Sequence, residues 1–480
     1  MSVQVDANDT EKSNRVAPEH QHGPVSVLKV RIISAVVPVF SLSASSARDS
    51  IVAQYLVDRL ANDQGYLNLT DVASCSGDAN SSVLATANDI QSQASDLQTY
   101  YSYAQCVPAI FICLFIGSYS DYLGRRFLLL LPLFTVLVKM IITTCIIRFH
   151  LDLRFMYLAY GFDGLSGSWY ALLMAMFALT ADICTKESDR SFWIFFTSFS
   201  SAIVNAVLNI VGGYLISNYG FTEASILLSC MLAVSFFIPL FFLPETHLHR
   251  PKTKEYNPLV HMRRIFGFYF FDGSPRRKAT FCLGILIFII AVSYLIYQAS
   301  LDALYQMHQP FCWDANQIGY YSSARGAGAF VAGAVILKIL QKCMADKYIA
   351  MLGLLCQGGS LIFQAFVWES WQFYLVPAIG APGTSVTAIV RALLSLQTGP
   401  DKQGALFSSI AVVEAVVGLA SAAAWYQIYS STVGFMPGFV YVTMAACCFL
   451  SFVLFIIYNR IQVTPTIFQH VVLSNPLESE

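Results

Sequence analysis

The sequence carries very little charge for its length. Only 12% of its 480 residues are Asp, Glu, Lys or Arg, whereas 56% are hydrophobic, and the formal net charge is −1. Soluble globular domains average about 25% charged residues, so this composition excludes an ordinary soluble protein. A net charge near zero provides no electrostatic footprint for a nucleic-acid partner. The composition therefore predicts a chain that lies in a lipid bilayer.

The sequence also lacks the signals of an enzyme. It has no glycine-rich nucleotide loop, no metal-spaced cluster outside the apolar segments, and no polar stretch long enough for a soluble domain. Catalysis on substrates outside the membrane needs such groups at defined spacing. We expect no catalytic residue, no cofactor and no metal, and we interpret the histidines, including His261 and His308, as ordinary loop residues.

The N-terminal residues lack the apolar core of a signal peptide. Residues 1–28 are polar and contain Pro18 and Pro24, which predicts a cytoplasmic tail and a first span that is retained as an anchor. A membrane-spanning helix needs about 20 apolar residues. Twelve segments satisfy this requirement, at about 30–56, 99–118, 127–147, 156–183, 192–216, 224–243, 279–303, 318–340, 348–367, 373–396, 406–429 and 438–458.

The twelve spans form two groups of six. Residues 29–243 contain the first group and 279–458 the second, with a linker at 244–278 and a C-terminal tail at 459–480. The linker has eight Lys or Arg residues against three acidic ones, which places it and both termini in the cytoplasm by the positive-inside rule. We predict an all-α membrane protein with twelve transmembrane helices in two six-helix bundles.

The segment 58–98 is predicted to lie outside the membrane. It has no Lys or Arg after residue 59, and it contains two acceptor patterns for N-glycosylation, at Asn68 and Asn80. Cys75 in this segment and Cys312 after span seven both fall on the external side, where thiols meet an oxidising environment. We predict a disulfide between them; the alternative is two unrelated thiols.

Among the charged residues that fall within spans, six are candidates for a functional role. A charge at the bilayer centre costs about 2.5–3.5 kcal/mol on insertion scales, so those present usually face a partner or a wet cavity. These candidates for substrate binding or coupling are Arg48, Asp49, Asp163, Asp302, Arg391 and Glu414.

Arg391 is the foremost candidate for binding a substrate. It follows the run Gly380-Ala-Pro-Gly383, which loosens a helix, and its planar guanidinium suits a carboxylate. The alternative is a structural ion pair with Glu414. Glu414 is a candidate proton carrier, with a fixed counter-ion for Arg391 or Arg325 as the alternative.

A short turn between spans two and three combines small and charged residues. Gly117 and Gly124 permit close approach of two helices, and Asp121, Arg125 and Arg126 supply opposite charges that can act as a latch. The alternative is that the arginines are only a positive flank of a cytoplasmic loop. With this gating motif we group Asp182 and Arg190, which border the cytoplasmic loop after span four.

The G-x-x-x-D-x-x-G-R-R spacing of this turn resembles the loop between the second and third helices of the major facilitator superfamily. The sequence Pro244-Glu-Thr246, where span six ends, is similar to the corresponding segment in the first half of the same superfamily. The resemblance implies a major facilitator fold, in which spans one, four, seven and ten line a central cavity between the bundles.

Longer stretches resemble one branch, the proton-coupled folate transporter family, solute carrier family 46. These stretches are Gln54-Tyr55, Ala181-Asp182, Tyr305–Asp314, Ile318-Gly-Tyr320, Ala388–Leu396 and Gly404–Phe407 with Glu414. The resemblance implies import of bulky organic anions, namely folates, muropeptides or conjugated metabolites, usually coupled to protons. It assigns substrate or coupling roles to Arg391, gating to Asp121 and Arg125, and a disulfide to Cys75 and Cys312.

The sequence departs from the folate member in two spans. That member uses a glutamate in span five and a histidine in span seven, whereas span five here has no acidic residue and span seven no histidine. The chain is therefore expected to be closer to the non-folate branches, in the plasma membrane or an endolysosomal membrane. Two alternatives to a proton-coupled transporter are a transporter-shaped receptor without turnover and a facilitative exchanger that is independent of pH.

Overall fold

The computed structural model describes residues 24–65, 81–183, 187–244, 274–396 and 403–461. Over these residues the secondary structure is helical, with turns between the helices and no strand. Eight helices in this part of the chain are long and apolar enough to cross a bilayer. The predicted all-α membrane class is confirmed.

The first bundle contains six helical spans, and the fourth of them is divided. Their bounds are Pro24–Asp63, Ser81–Leu123, Arg125–Phe149, Phe155–Gly164 with Ser168–Ile183, Glu187–Tyr219 and Phe221–Phe242. Gly167 and Ser168 have φ values of 82° and 52°, a left-handed conformation that an α-helix does not contain. The glycine makes this break possible in the middle of span four.

The second bundle repeats the count, with breaks in spans eight and ten. Its spans are Pro275–Met307, Ala315–Ser323 with Ala329–Gln341, Asp346–Ala365, Leu375–Gly380 with Val386–Leu396, Gln403–Thr432 and Phe439–Ile461. A π-helical turn, Ala324–Gly328, joins the two parts of span eight, and a 3-10 turn, Ala381–Ser385, joins those of span ten. The predicted loosening after Gly380 is therefore present, because Pro382 removes a backbone donor there.

Span two begins much earlier than its hydropathy predicts. The helix begins at Ser81, so residues 81–98 of the predicted external loop are helical, and residues 58–63 belong to span one. Its polar side chains pack on span eleven: Tyr429 Oη donates to Gln91 Oε1 at 2.5 Å, and Ser95 Oγ donates to the Tyr426 carbonyl at 2.8 Å. Hydropathy misses this helix because it does not record that polar residues such as Gln91 and Ser95 are paired with another helix.

Spans five and eight also join the two bundles, over their halves towards the predicted external side. Helix ends on that side are called outer ends below. Ser323 Oγ donates to the carbonyl of Ala206 at 2.5 Å. A Cβ on Gly213 would lie 2.5 Å from the carbonyl oxygen of Ala315, so the two helices approach backbone to backbone. These contacts and those of span two with span eleven close the outer side of the molecule.

We expect Gly213→Ala to open this outer closure. The added methyl group would overlap the Ala315 carbonyl, and overpacking of this kind costs about 1–3 kcal/mol. Spans five and eight would separate, and Cys106, which lines the central cavity, would react at least about fivefold faster with an external membrane-impermeant thiol reagent, since 1 kcal/mol is a factor of about five. Mass spectrometry of the Cys106 peptide measures the reaction.

Gly212→Ala is the matched control, because a Cβ there meets only Ile51 Cδ1 at an ordinary 3.6 Å. Equal labelling of Cys106 in the two variants would contradict a closed outer side held by spans five and eight.

Candidate functional site

A cavity of about 370 Å³ lies between the two bundles. Spans one to four line it on one side and spans seven, ten and eleven on the other. Such a volume suits a drug-sized solute. Aromatic side chains form much of the wall: Tyr101, Tyr160, Trp169, Tyr170, Tyr297 and Tyr426. The cavity therefore offers apolar contact area together with hydroxyl groups.

Five of the six predicted candidates line this cavity. They are Arg48, Asp49, Asp163, Arg391 and Glu414. Lys139 of span three joins them, although the sequence did not single it out as a site residue. A lysine inside an apolar span is itself the signal that could have found it, because its charge needs a partner or a wet surface.

Arg391 and Glu414 form an ion pair at the cavity wall. The Arg391 side chain is 30% exposed and that of Glu414 only 6%, so the guanidinium is the part that a solute can reach. Its carbon lies 5.1 Å from the ring centre of Phe288, and its Nε is buried without a hydrogen-bond partner. The Arg391 guanidinium therefore has N–H donors that are not used by Glu414.

Arg48 and Asp49 form a second pair on span one. Arg48 donates from Nε at 3.1 Å and from Nη2 at 2.7 Å, both to Oδ1 of Asp49. The arginine is buried, whereas the Asp49 side chain is 41% exposed. One oxygen of this carboxylate is fixed by the protein, and the residue faces the cavity.

Lys139 and Asp163 form a third pair, which is fully buried. Lys139 Nζ lies 2.5 Å from Asp163 Oδ2, and the exposed fractions of the two side chains are 1% and 0%. Ser168 Oγ donates to the same carboxylate oxygen at 2.8 Å. The break in span four turns Ser168 back towards Asp163, five residues away. Charge neutralisation and these hydrogen bonds satisfy an acid that the membrane would otherwise exclude.

Asp302 does not line the cavity, contrary to the expected set. Ser300 of the same helix lines it, and a residue two positions further along is rotated by about 200° in an α-helix. Asp302 therefore faces the interior of the second bundle. There it contacts Arg325 Nη1 at 2.5 Å, Gln364 Nε2 at 2.9 Å and Tyr441 Oη at 2.9 Å.

We expect Asp302→Asn to lower stability without changing substrate binding. The amide keeps an acceptor but loses the charge that pairs with Arg325, and a hydrogen bond to a charged group contributes about 1.5–3 kcal/mol. Thermal unfolding in detergent should show the loss, whereas the apparent affinity for a transported solute should stay unchanged. Ser300→Ala, on the cavity face of the same helix, is the control for binding. An affinity change in Asp302→Asn would contradict this assignment.

The gating motif lies partly within the described residues. Gly124 separates spans two and three with φ of 89°, and Arg126 Nη2 donates to the carbonyl of Leu240 at 2.5 Å, which ties span three to the end of span six. Gly117 belongs to the last turns of span two. The side chains of Asp121, Arg125, Asp182 and Arg190 lie outside the described part, so their latch role stays a prediction.

Cys312 is disulfide-bonded, and its predicted partner Cys75 lies outside the described residues. The pairing of Cys75 with Cys312 therefore stays a prediction. The same holds for glycosylation at Asn68 and Asn80, which also lie outside the described residues.

His308 has a larger role than the ordinary loop residue that the sequence predicts. It follows span seven at the outer end, and its Nε2 lies 2.7 Å from Asn88 Oδ1 of span two. Burial lowers the pKa of His308 below its ordinary value, so the imidazole is neutral at neutral pH. The contact adds a third connection between the outer ends of the bundles. His261 lies outside the described residues.

Comparisons with known proteins agree with this architecture. The model of the Major Facilitator Superfamily matches residues 72–422. A lysosomal proton-coupled steroid conjugate and bile acid symporter, SLC46A3 of Gallus gallus, is 25% identical over 88% of this chain and 92% of its own length. A proton-coupled folate transporter of Bos taurus is 25% identical over 85% of this chain and 88% of its own.

Two solved structures share the fold. The human organic anion transporter MFSD10 superposes with a TM-score of 0.59 at 15% identity, covering 90% of this chain and all of its own length. A POT family transporter in complex with a thioalcohol-conjugated peptide superposes with a TM-score of 0.62 at 12% identity, over 91% of this chain and all of its own.

Proposed function

Because the chain belongs to the Major Facilitator Superfamily, we propose that it is a secondary active transporter that moves organic anions, coupled to protons, by alternating access. The Arg391–Glu414 pair at the cavity wall carries the proposal. A partly exposed guanidinium with unused donors can bind a carboxylate, sulfate or phosphate of a solute. The cavity between the two bundles is where such transporters bind their substrate.

Competition for Arg391 supplies a simple route to proton coupling. Glu414 and the anionic group of a solute are alternative partners for the same guanidinium. A proton on Glu414 neutralises its carboxylate and releases Arg391 for the solute. Binding of the proton therefore favours binding of the anion, and binding of the anion favours binding of the proton. Transport then requires that the outer contacts of spans two and eleven and of spans five and eight break while the bundles rock around the cavity.

The relatives and the cavity wall support bulky, ring-bearing substrates. The named relatives carry steroid conjugates, bile acids and folate, and six aromatic side chains line the cavity here. We infer a folate- or pterin-like, muropeptide-like or conjugated metabolite as substrate. The relative from Gallus gallus is named as lysosomal, which supports an endolysosomal membrane, with the plasma membrane as the second candidate.

Uptake into proteoliposomes with an imposed pH gradient tests the proposal. Folate, a bile acid conjugate and a muropeptide are offered at acidic and neutral external pH, and at least one should accumulate faster at acidic pH. Glu414→Gln should remove the pH dependence of uptake, although the variant should still take up the solute. Glu223→Gln, an exposed acid in the first turn of span six, is the matched control and should keep it.

The alternatives have separate signatures in the same assay. Binding without flux would replace the transporter by a receptor, and uptake that ignores pH would replace proton coupling by facilitated exchange.

A further inference from the structure

Asp49 differs from the other acids of the cavity in its exposure. The side chains of Glu414 and Asp163 are 6% and 0% exposed, whereas that of Asp49 is 41% exposed. Both hydrogen bonds from Arg48 go to Oδ1 of Asp49. Arg48 therefore fixes Oδ1, while Oδ2 accepts no hydrogen bond from the described part of the chain and belongs to a side chain that lines the cavity.

An open carboxylate works against a purely anionic substrate. Asp49 and Arg391 line the same cavity from different bundles, so a solute bound at Arg391 lies in the same chamber as the Asp49 carboxylate. Arg48 offsets part of the Asp49 charge, and the remaining repulsion between like charges is stronger in the cavity than in bulk water, because the effective dielectric constant is lower. A cationic group on the solute removes this repulsion and replaces it by attraction.

We propose that Asp49 is a subsite for a cationic group, such as a protonated amine, of a solute whose anionic group binds Arg391. The cavity thereby selects amphoteric organic anions over purely anionic ones. This inference rests on the proposed function, since it assigns the substrate class of the same site. Asp49 binds the amine through Oδ2, and Arg48 is a positioning residue that holds Oδ1.

A matched pair of solutes tests the subsite. Alanyl-tyrosine has a free amine and a carboxylate, and N-acetyl-alanyl-tyrosine has the carboxylate alone. Wild-type protein in proteoliposomes should take up the free dipeptide about tenfold better than the acetylated one, because a hydrogen bond between charged groups contributes 1.5 kcal/mol or more and 1.4 kcal/mol is about tenfold.

Three variants separate binding by Asp49 from a structural role. Asp49→Asn keeps an acceptor for Arg48 but loses the charge, and it should remove the preference by lowering uptake of the free dipeptide and raising that of the acetylated one, which the Asp49 carboxylate repels. Asp49→Glu should keep the preference. Asp63→Asn is the matched control, since Asp63 is on the same helix and pairs with an arginine, Arg59, but does not line the cavity.

Failure of the inference and failure of the proposed function give different results. Equal uptake of both dipeptides by wild type, uptake of neither, or an equal loss of both in Asp49→Asn would overturn the subsite. If Arg391→Ala still abolishes uptake of the acetylated dipeptide, the proposed function stands. Uptake of both dipeptides that is unaffected by Arg391→Ala would overturn the proposed function itself.

Discussion

Arg391→Ala should abolish substrate uptake, with the largest effect of any single substitution in the cavity. The charge pair at stake is the one between Arg391 and the anionic group of the solute. Truncating one partner of a buried, hydrogen-bonded charge pair between binding partners costs about 2–5 kcal/mol, which is a loss of roughly 30-fold to several thousand-fold in affinity for the solute. Uptake of labelled solute into proteoliposomes measures it. Arg391→Lys should recover little, because a lysine provides a point charge without the planar fork.

The double variant Arg391→Ala/Glu414→Ala separates a substrate contact from a structural ion pair. The single variant leaves Glu414 buried and unpaired, so it loses stability as well as uptake. Removing both charges leaves no unpaired charge of this pair inside the membrane, and the melting temperature should return towards that of wild type. If uptake also returned, Arg391 would be only a counter-ion of Glu414 and would not bind the substrate.

The fold class and its grouping of spans could be predicted from the sequence. Apolar length and the bias of basic residues gave two groups of six spans, and the family model, the relatives and the solved structures confirm the fold and the resemblance to solute carrier family 46. The two relatives are equally identical to the chain, so the expected preference for the non-folate branches stays a prediction.

The pairing of Arg391 with Glu414 shows how much of the site can be predicted from the type of a residue and its position within a span. Both were candidates because a charge within a span needs a partner or water, and the ion pair and the cavity position are both present in the structure. The two alternatives for Arg391, a structural pair and a substrate contact, are therefore compatible. In the proposed mechanism, function depends on which partner Arg391 has at each step of transport.

The rotation of each helix could not be predicted in the same way. Asp302 has the depth of a cavity residue, but its face of span seven points to Arg325 inside the second bundle. Hydropathy does not carry that information because a span that packs on all sides is apolar on most of them. Residues 81–98 were assigned to a loop for a related reason: the partners of Gln91 and Ser95 lie on span eleven, far away in sequence.

Lys139 and Asp163 are expected to contribute more to stability than any other pair in the first bundle. Both side chains are buried, at 2.5 Å, with the ammonium also 4.8 Å from the ring centre of Tyr160. Lys139→Met leaves the Asp163 carboxylate uncompensated in a low-dielectric interior, and breaking a buried pair in this way costs about 3–5 kcal/mol. Thermal unfolding of the purified protein in detergent should show the loss.

The double variant Lys139→Met/Asp163→Asn should recover most of that stability, because no buried charge remains and the asparagine still accepts the hydrogen bond from Ser168. The exposed pair Arg154 and Asp152, with atoms 3.9 Å apart, is the control, and its variants should change stability by less than about 0.5 kcal/mol. A wild-type melting temperature for Lys139→Met would contradict the structural role. If the double variant is stable but no longer transports, the pair takes part in transport as well, since restored packing alone would restore uptake.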